Sequence, residues 1–135
     1  MKKGYYILFL LIGIIPATFL LIMILISGVF GASLSGKISY IIQMLLGISG
    51  YLGLLSLLRG LKKRYLKLNL ILLGSGLLGF NMFLLFDEEM TSVWKKIISG
   101  KGTLEQLSIY LLPNIVILTF VILISIKMYN VKNEK

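Results

Sequence analysis

Four long runs of apolar residues follow one another along this chain, and none of them contains a charged side chain. They lie between Lys3 and Lys37, Lys37 and Arg59, Lys67 and Asp87, and Glu105 and Lys127, and are 33, 21, 19 and 21 residues long. A helix needs roughly 20 apolar residues to cross the hydrocarbon core of a bilayer. The runs lack the alternation of barrel strands, so helices are the structures that satisfy their backbone in lipid. The pattern predicts an all-α, polytopic membrane protein with four transmembrane helices.

We place the spans at about residues 5–29, 38–58, 65–86 and 107–126. Together they use most of the 135 residues, so the chain is expected to form one domain, 1–135, without a separate soluble unit. The first apolar stretch is longer than the h-region of a secretory signal, which runs about 7–15 residues. It is therefore interpreted as an uncleaved first span. Pro16 in its middle predicts a kink near Gly13, because proline removes one backbone donor.

The formal charge of +9 is divided unevenly between the loops. With the N-terminus in the cytoplasm, the inner segments hold ten basic residues and Glu134, and the outer segments hold four basic and four acidic residues. The ten inner residues are Lys2, Lys3, Arg59, Lys62, Lys63, Arg64, Lys67, Lys127, Lys132 and Lys135. This positive-inside bias predicts an antiparallel four-helix bundle with both termini cytoplasmic. Richness in Ile, Leu and Lys suggests a bacterial plasma membrane.

Five of these basic residues lie in the short loop RGLKKRYLK, residues 59–67. They are Arg59, Lys62, Lys63, Arg64 and Lys67. The loop is interpreted first as a stop-transfer and orientation signal. It is also expected to contact anionic lipid headgroups, at about 1 kcal/mol per basic residue near the surface. Binding of nucleic acid is excluded as an interpretation, because a single aromatic residue, Tyr65, lies in the loop.

The outer segment 87–106 is the one sizeable loop of the predicted topology. Its first part, DEEMTSVWKKII, places Met90, Val93, Trp94 and Ile97 at helical spacing. This spacing predicts an amphipathic helix on the outer interface, with Trp94 as an anchor. The sequence SGKGT then breaks the helix, and TLEQ is expected to cap the start of span four.

The chain has no cysteine and no histidine, and no acidic or basic residue lies deep in any predicted span. Proton-coupled carriers depend on an ionisable group inside the membrane, and intramembrane proteases need an Asp pair or a histidine. The acids of Asp87-Glu88-Glu89 point about 100° apart on a helix, which is poor geometry for a metal site. We therefore expect no catalysis, no cofactor and no metal.

Small residues form a narrow stripe along span two, and span three adds two more. The set is Ser49, Gly53, Ser56, Gly60, Ser75 and Gly79, and a second stripe of span two holds Gln43, Gly47 and Gly50. Small residues four apart let helix backbones approach closely in lipid. Two interpretations stay open here, which are packing within this chain and docking onto another membrane protein or a second copy.

Three amide side chains lie at similar depth in the predicted spans. Gln43, Asn81 and Asn114 are each about 8–11 Å below the outer surface by the helical rise. They are interpreted either as interhelical hydrogen bonds, worth about 0.6 kcal/mol per pair, or as the lining of a small polar vestibule.

The sequence leaves two functional hypotheses. The first is a non-catalytic accessory, regulatory or immunity-type subunit that acts through helix–helix contacts with a membrane protein partner or in a homo-oligomer. The second is an oligomeric channel, carrier or holin-like pore subunit for a small solute.

Overall fold

The computed structural model describes residues 3–86 and 88–133, and every regular element among them is helical. The α-helices of this described part are α1 (Lys3–Ser35), α2 (Ile38–Leu57), α3 (Leu66–Phe86), α4 (Glu88–Ile98), α5 (Leu104–Gln106) and α6 (Leu112–Asn133). A 3₁₀ turn, Lys63–Tyr65, precedes α3, and a π-helical turn, Leu107–Leu111, joins α5 to α6. The all-α prediction is confirmed for the described residues.

Four stretches are long and apolar enough to cross a membrane: Gly4–Ser35, Ile38–Leu57, Lys63–Leu85 and Leu104–Lys132. Each of them overlaps one of the four charge-free runs, so the prediction of four membrane-spanning helices is confirmed in length and composition. The first helix continues past the predicted limit at residue 29, through a run of small residues, and runs unbroken through Pro16. It ends where Gly36 adopts a positive φ of 64° and donates its N–H to the carbonyl of Ala32 at 2.9 Å.

The fourth stretch begins at Leu104, three residues before the predicted start, because a capping box fixes its first turn. The Thr103 hydroxyl accepts a hydrogen bond from the N–H of Gln106 at 3.3 Å, and the Gln106 side chain accepts one from the N–H of Thr103 at 3.1 Å. These reciprocal bonds satisfy amides that a helix start otherwise leaves unpaired. The cap predicted in TLEQ is therefore confirmed.

Each long helix packs chiefly on two others: α1 contacts α2 and α6, and α3 contacts α2 and α6. The largest fully buried side chains of the described residues fill the space between them: Phe80, Phe83, Phe120, Leu10, Leu20, Ile24, Leu54, Leu57, Leu73, Leu84, Ile117 and Ile124. The other faces of the helices carry large apolar side chains pointing outward, such as Phe19, which is 58% exposed. An apolar exterior around a packed apolar interior suits a lipid environment.

Two ends of the structure differ in composition. One end, called here the basic end, holds the 58–65 turn, the start of α1 and the last turns of α6. There the Tyr6 hydroxyl donates to the carbonyl of Leu57 at 2.8 Å, and Lys127 Nζ donates to the carbonyl of Leu61 at 2.7 Å. The opposite end, called here the α4 end, holds the α1–α2 turn and α4.

The amphipathic segment forms a helix as predicted, and its apolar face lies on the protein. Ile97 is buried, and Met90, Val93 and Trp94 are partly buried against the core. The Tyr110 hydroxyl lies 3.4 Å from Met90 Sδ, and Thr91 donates to the carbonyl of Leu85 at 3.0 Å. The α4 helix therefore covers this end of the core. Its apolar face contacts the protein interior, whereas the sequence assigned that face to the membrane interface.

Candidate functional site

The small residues of α2 and α3 form a close seam between these two helices. A Cβ atom built on Gly50 would lie 2.1 Å from the Cα of Gly76, and one built on Gly79 would lie 2.7 Å from the backbone nitrogen of Gly47. Further along, a Cβ on Gly53 would lie 3.0 Å from the Cβ of Leu72. The two backbones are thus in direct contact, which only glycine permits at these positions.

Hydroxyl and amide groups flank the seam with hydrogen bonds between the helices. The Ser49 and Ser75 hydroxyls lie 2.5 Å apart, and Ser56 donates to Oδ1 of Asn69 at 2.8 Å. The structure therefore brings Ser49, Gly53, Ser56, Ser75 and Gly79 together inside one chain. Gly60 does not join them: it lies in the turn after α2 with a φ of 82°, and its Cβ position meets no atom within 4 Å.

Asn69 and Gly76 belong to the seam, although they lie outside the small-residue pattern that the sequence predicted. Asn69 is 3% exposed, and Gly76 makes the closest backbone contact with α2. They are seven residues apart, so they share one face of α3 with each other across two helical turns. This seven-residue spacing was the signal in the sequence that could have identified the two residues. It points to the seam only when α2 is known to pack on this face of α3.

Two of the three predicted amide side chains meet at the α4 end. Asn81 donates from Nδ2 to Oδ1 of Asn114 at 3.1 Å, and to its own helix at the carbonyl of Leu77 at 2.7 Å. Asn114 in turn donates to the carbonyl of Tyr110 at 2.8 Å, within the π-helical turn that ends two residues before Pro113. The bond between the two side chains links α3 to α6, and the bonds to the carbonyls of Leu77 and Tyr110 pair the amide groups with their own helices. The pair therefore acts as an interhelical hydrogen bond.

Gln43 lies apart from this pair. It is 5% exposed and lines a hollow of about 220 Å³ together with Lys37, Ser39, Tyr40 and Met82. Its Nε2 atom is buried and has no hydrogen-bond partner among the residues that the structure describes. A buried amide without a partner is costly, so an acceptor at this position would stabilise the protein.

The five basic residues of the 59–67 loop divide between three surroundings. Arg59 and Lys62 line a hollow of about 300 Å³ between α2 and α3. Lys63 and Lys67 line a second hollow of about 380 Å³, together with Lys132 of α6. The Arg64 guanidinium lies 5.7 Å from the centroid of the Tyr65 ring, within cation–π range. The loop is therefore a folded basic surface with two separate recesses.

Groups that hold metals or perform acid–base chemistry are scarce in the described part of the chain. No group of three or more His, Cys, Asp or Glu side chains is placed there to hold a metal ion. Asp87 and the side chains of Glu88 and Glu89, whose sequence suggested acids at a helix junction, lie outside the described residues. What the described residues offer is neutral dipoles within the spans and a cluster of basic side chains in the 59–67 loop.

Comparison with protein-family models, with curated proteins and with solved structures found no match to this chain. The geometry of the residues themselves is therefore the basis for a functional proposal.

Proposed function

We propose that this protein is a non-catalytic subunit of a bacterial plasma membrane, acting in an accessory, regulatory or immunity-type role through helix–helix contacts. In this proposal the four long helices form an antiparallel bundle with both termini cytoplasmic. The basic end then faces the cytoplasm and contacts anionic lipid headgroups, in agreement with the positive-inside bias. The partner is a membrane protein or a second copy of this chain.

The observation that carries the proposal is the surroundings of Gly74 on α3. A Cβ built on Gly74 would meet no atom within 4 Å, although this residue lies in the middle of the helix. Its neighbours on the outward face are large: Ile71 is 68% exposed and Leu78 is 63% exposed. The result is a notch in the lipid-facing surface, bordered by apolar side chains.

A notch of this kind is suited to receive a side chain of another helix. The other glycines in the middle of α1, α2 and α3 each face an atom of a neighbouring helix within 4 Å, so their small size is explained by the fold of this chain. Gly74 has no such explanation, and glycine weakens a helix by roughly 1 kcal/mol relative to alanine. Lipid tails are as apolar as the side chains themselves, so the hydrophobic effect does not drive helices together inside a bilayer. Close packing at small residues is therefore a main source of helix association there.

The proposal is tested by site-specific photo-crosslinking in cells from position 78, which borders the notch, is 63% exposed and leaves Gly74 in place. We expect the crosslinker at Leu78 to form one defined adduct with a membrane protein or with a second copy of the chain. The matched control is the same crosslinker at Ser125 of α6, which is also exposed to lipid. Mass spectrometry of the adduct identifies the partner.

Substitution supplies the second readout. Gly74→Leu, combined with the crosslinker at position 78, fills the notch without touching the interior, so we expect loss of the adduct with unchanged insertion and thermal stability. Ser125→Leu should leave the adduct unchanged. Equal crosslinking from positions 78 and 125, an adduct that survives Gly74→Leu, or no adduct from position 78 in correctly inserted protein, would contradict the proposal.

A second function, an oligomeric channel or carrier subunit for a small solute, is favoured by the unpartnered Nε2 of Gln43. A solute with a hydrogen-bond acceptor could occupy the hollow beside it, next to Lys37. This function predicts that the purified protein alone makes liposomes leaky, and that Gln43→Leu changes the leak. Liposomes that stay sealed at high protein density would exclude it.

A further inference from the structure

The recess between α2 and α3 at the basic end is lined by both polar and apolar side chains. The polar ones include Ser56, Arg59, Lys62 and Asn69, and the apolar ones include Leu68 and Leu72. Its volume, about 300 Å³, is comparable with that of small-molecule sites in proteins. It lies where the 58–65 turn meets α3, at the boundary between the apolar span and the polar loop.

The polar side chains of this lining offer donors in excess of acceptors. Arg59 and Lys62 are exposed cations, and no acidic residue that the structure describes lies at this end, since Glu88, Glu89 and Glu105 are in α4 and α5. Asn69 is buried, with 3% of its surface exposed, and its side-chain oxygen accepts a hydrogen bond from the Ser56 hydroxyl. Its Nδ2 makes no hydrogen bond within the described part of the chain, so it is a fixed donor at the wall of the recess.

We propose that this recess is a specific binding site for the phosphate headgroup of one anionic phospholipid. Guanidinium, ammonium and amide N–H groups are the donors that phosphate oxygens accept from in proteins. The headgroup lies between Arg59, Lys62 and the Asn69 amide, and an acyl chain follows Leu68 and Leu72 along the outer face of α3. Leu68 is 52% exposed, so this apolar side chain of the lining is accessible to an acyl chain.

The site goes beyond a general attraction of the basic end for the membrane surface. The second basic recess, with Lys63, Lys67 and Lys132, has comparable positive charge, but its other lining residues, Leu66, Met128 and Val131, are apolar. It therefore attracts anions without a buried donor to hold one in place. Specific binding is expected in the first recess, and weak, salt-screened attraction in the second.

The test is native mass spectrometry of the detergent-solubilised protein titrated with phosphatidylglycerol. We expect one strongly retained lipid per chain. Arg59→Gln/Lys62→Gln should weaken its binding by about tenfold or more, since charge-assisted hydrogen bonds are lost. Asn69→Ala should also weaken it, while circular dichroism shows unchanged helix content. The matched control, Lys67→Gln/Lys132→Gln, removes the same charge from the same end and should change binding by less than about threefold.

Two further titrations distinguish an anionic lipid headgroup from other phosphate-containing ligands. Phosphatidylcholine tests the need for net negative charge, and inorganic phosphate tests a site for the free ion. Equal weakening by both double variants, equal retention of phosphatidylcholine, or displacement of the lipid by millimolar inorganic phosphate would overturn the proposal. The inference depends on the proposed membrane location of the basic end but not on a partner at Gly74, so either proposal can fail in these experiments without the other.

Discussion

At the scale of single residues, the contact between Gly50 and Gly76 decides how closely α2 and α3 approach. A Cβ on Gly76 would lie 2.4 Å from the Cα of Gly50, shorter than any stable contact between carbon atoms. The atom in the way is backbone, so a rotamer change cannot relieve the clash and the helices themselves have to separate. Such separation would also stretch the bond between Ser49 and Ser75, which lies one residue away on each helix.

We therefore expect Gly50→Ala to destabilise the protein by about 1–3 kcal/mol, the usual range for overpacking. Gly74→Ala is the control on the neighbouring helix: its added methyl meets open space, so it should be neutral or stabilising by up to about 1 kcal/mol. Unfolding with sodium dodecyl sulfate in mixed micelles, followed by circular dichroism, measures both. Equal effects of the two substitutions would show that the seam is looser than the structure indicates.

The sequence predicted which small residues lie on the packing face, but it did not predict which helix they pack against. The spacing of Ser49, Gly53 and Ser56 placed them on one face of α2, and that face packs on α3. It could not say whether the partner was this chain or another, because a small residue leaves the same opening for either. Gly74 illustrates the limit, since its open notch is visible only when the atoms around every glycine are known.

At the scale of elements, the Asn81–Asn114 hydrogen bond is the polar link between α3 and α6. Each side chain also bonds a carbonyl one turn earlier on its own helix, so neither depends on the other for all its partners. A double-mutant cycle of Asn81→Leu and Asn114→Leu should give a coupling free energy of about 0.6 kcal/mol. Unfolding in mixed micelles provides the four free energies. A coupling near zero would mean that the two amides do not interact.

The capping box at Thr103 makes a prediction about where the fourth long helix begins. Thr103→Ala removes the acceptor for the N–H of Gln106 and should cost about 1 kcal/mol. Hydrogen exchange should then speed up in the first turn, residues 104–107, and stay slow in the middle of α6. Thr119→Ala is a suitable control, because its hydroxyl bonds the carbonyl of Ile115 inside the helix. Equal protection of the first turn in both variants would contradict the role of the cap.

Among the elements, local signals in the sequence were reliable and the packing partners were not visible. The apolar spacing from Met90 to Ile97 predicted α4, and the TLEQ sequence predicted the cap. The sequence assigned the apolar face of α4 to the membrane interface, whereas Ile97 packs on the core. The two possibilities require the same amphipathic pattern, and they are distinguished by contacts with other elements, such as the one between Met90 and Tyr110.

At the scale of the whole molecule, charge is sorted between two ends that the apolar helices keep apart. A contact joins the 58–65 turn and the last turns of α6 into one basic surface, as the bond from Lys127 to the carbonyl of Leu61 shows. The start of α1 packs beside them through the bond from Tyr6 to the carbonyl of Leu57. Residues distant in sequence thus add their positive charge at one place. In the proposed topology the positive-inside rule acts on the same residues during insertion, so the proposed orientation and the proposed lipid contact have a common physical origin.

This sorting leads to a prediction for the orientation of the chain. The sequence has no cysteine, so single thiols can be introduced without competing labels. Ser99→Cys places a thiol after α4, and Lys132→Cys places one in the last turn of α6. We expect a membrane-impermeant maleimide to label Ser99→Cys in intact cells and Lys132→Cys only after the membrane is opened. The opposite pattern would put the basic end outside, and labelling of both sites in intact cells would contradict a single orientation. Because Lys132→Cys removes only one of the basic residues at that end, the charge bias that sets the orientation is retained in the test protein.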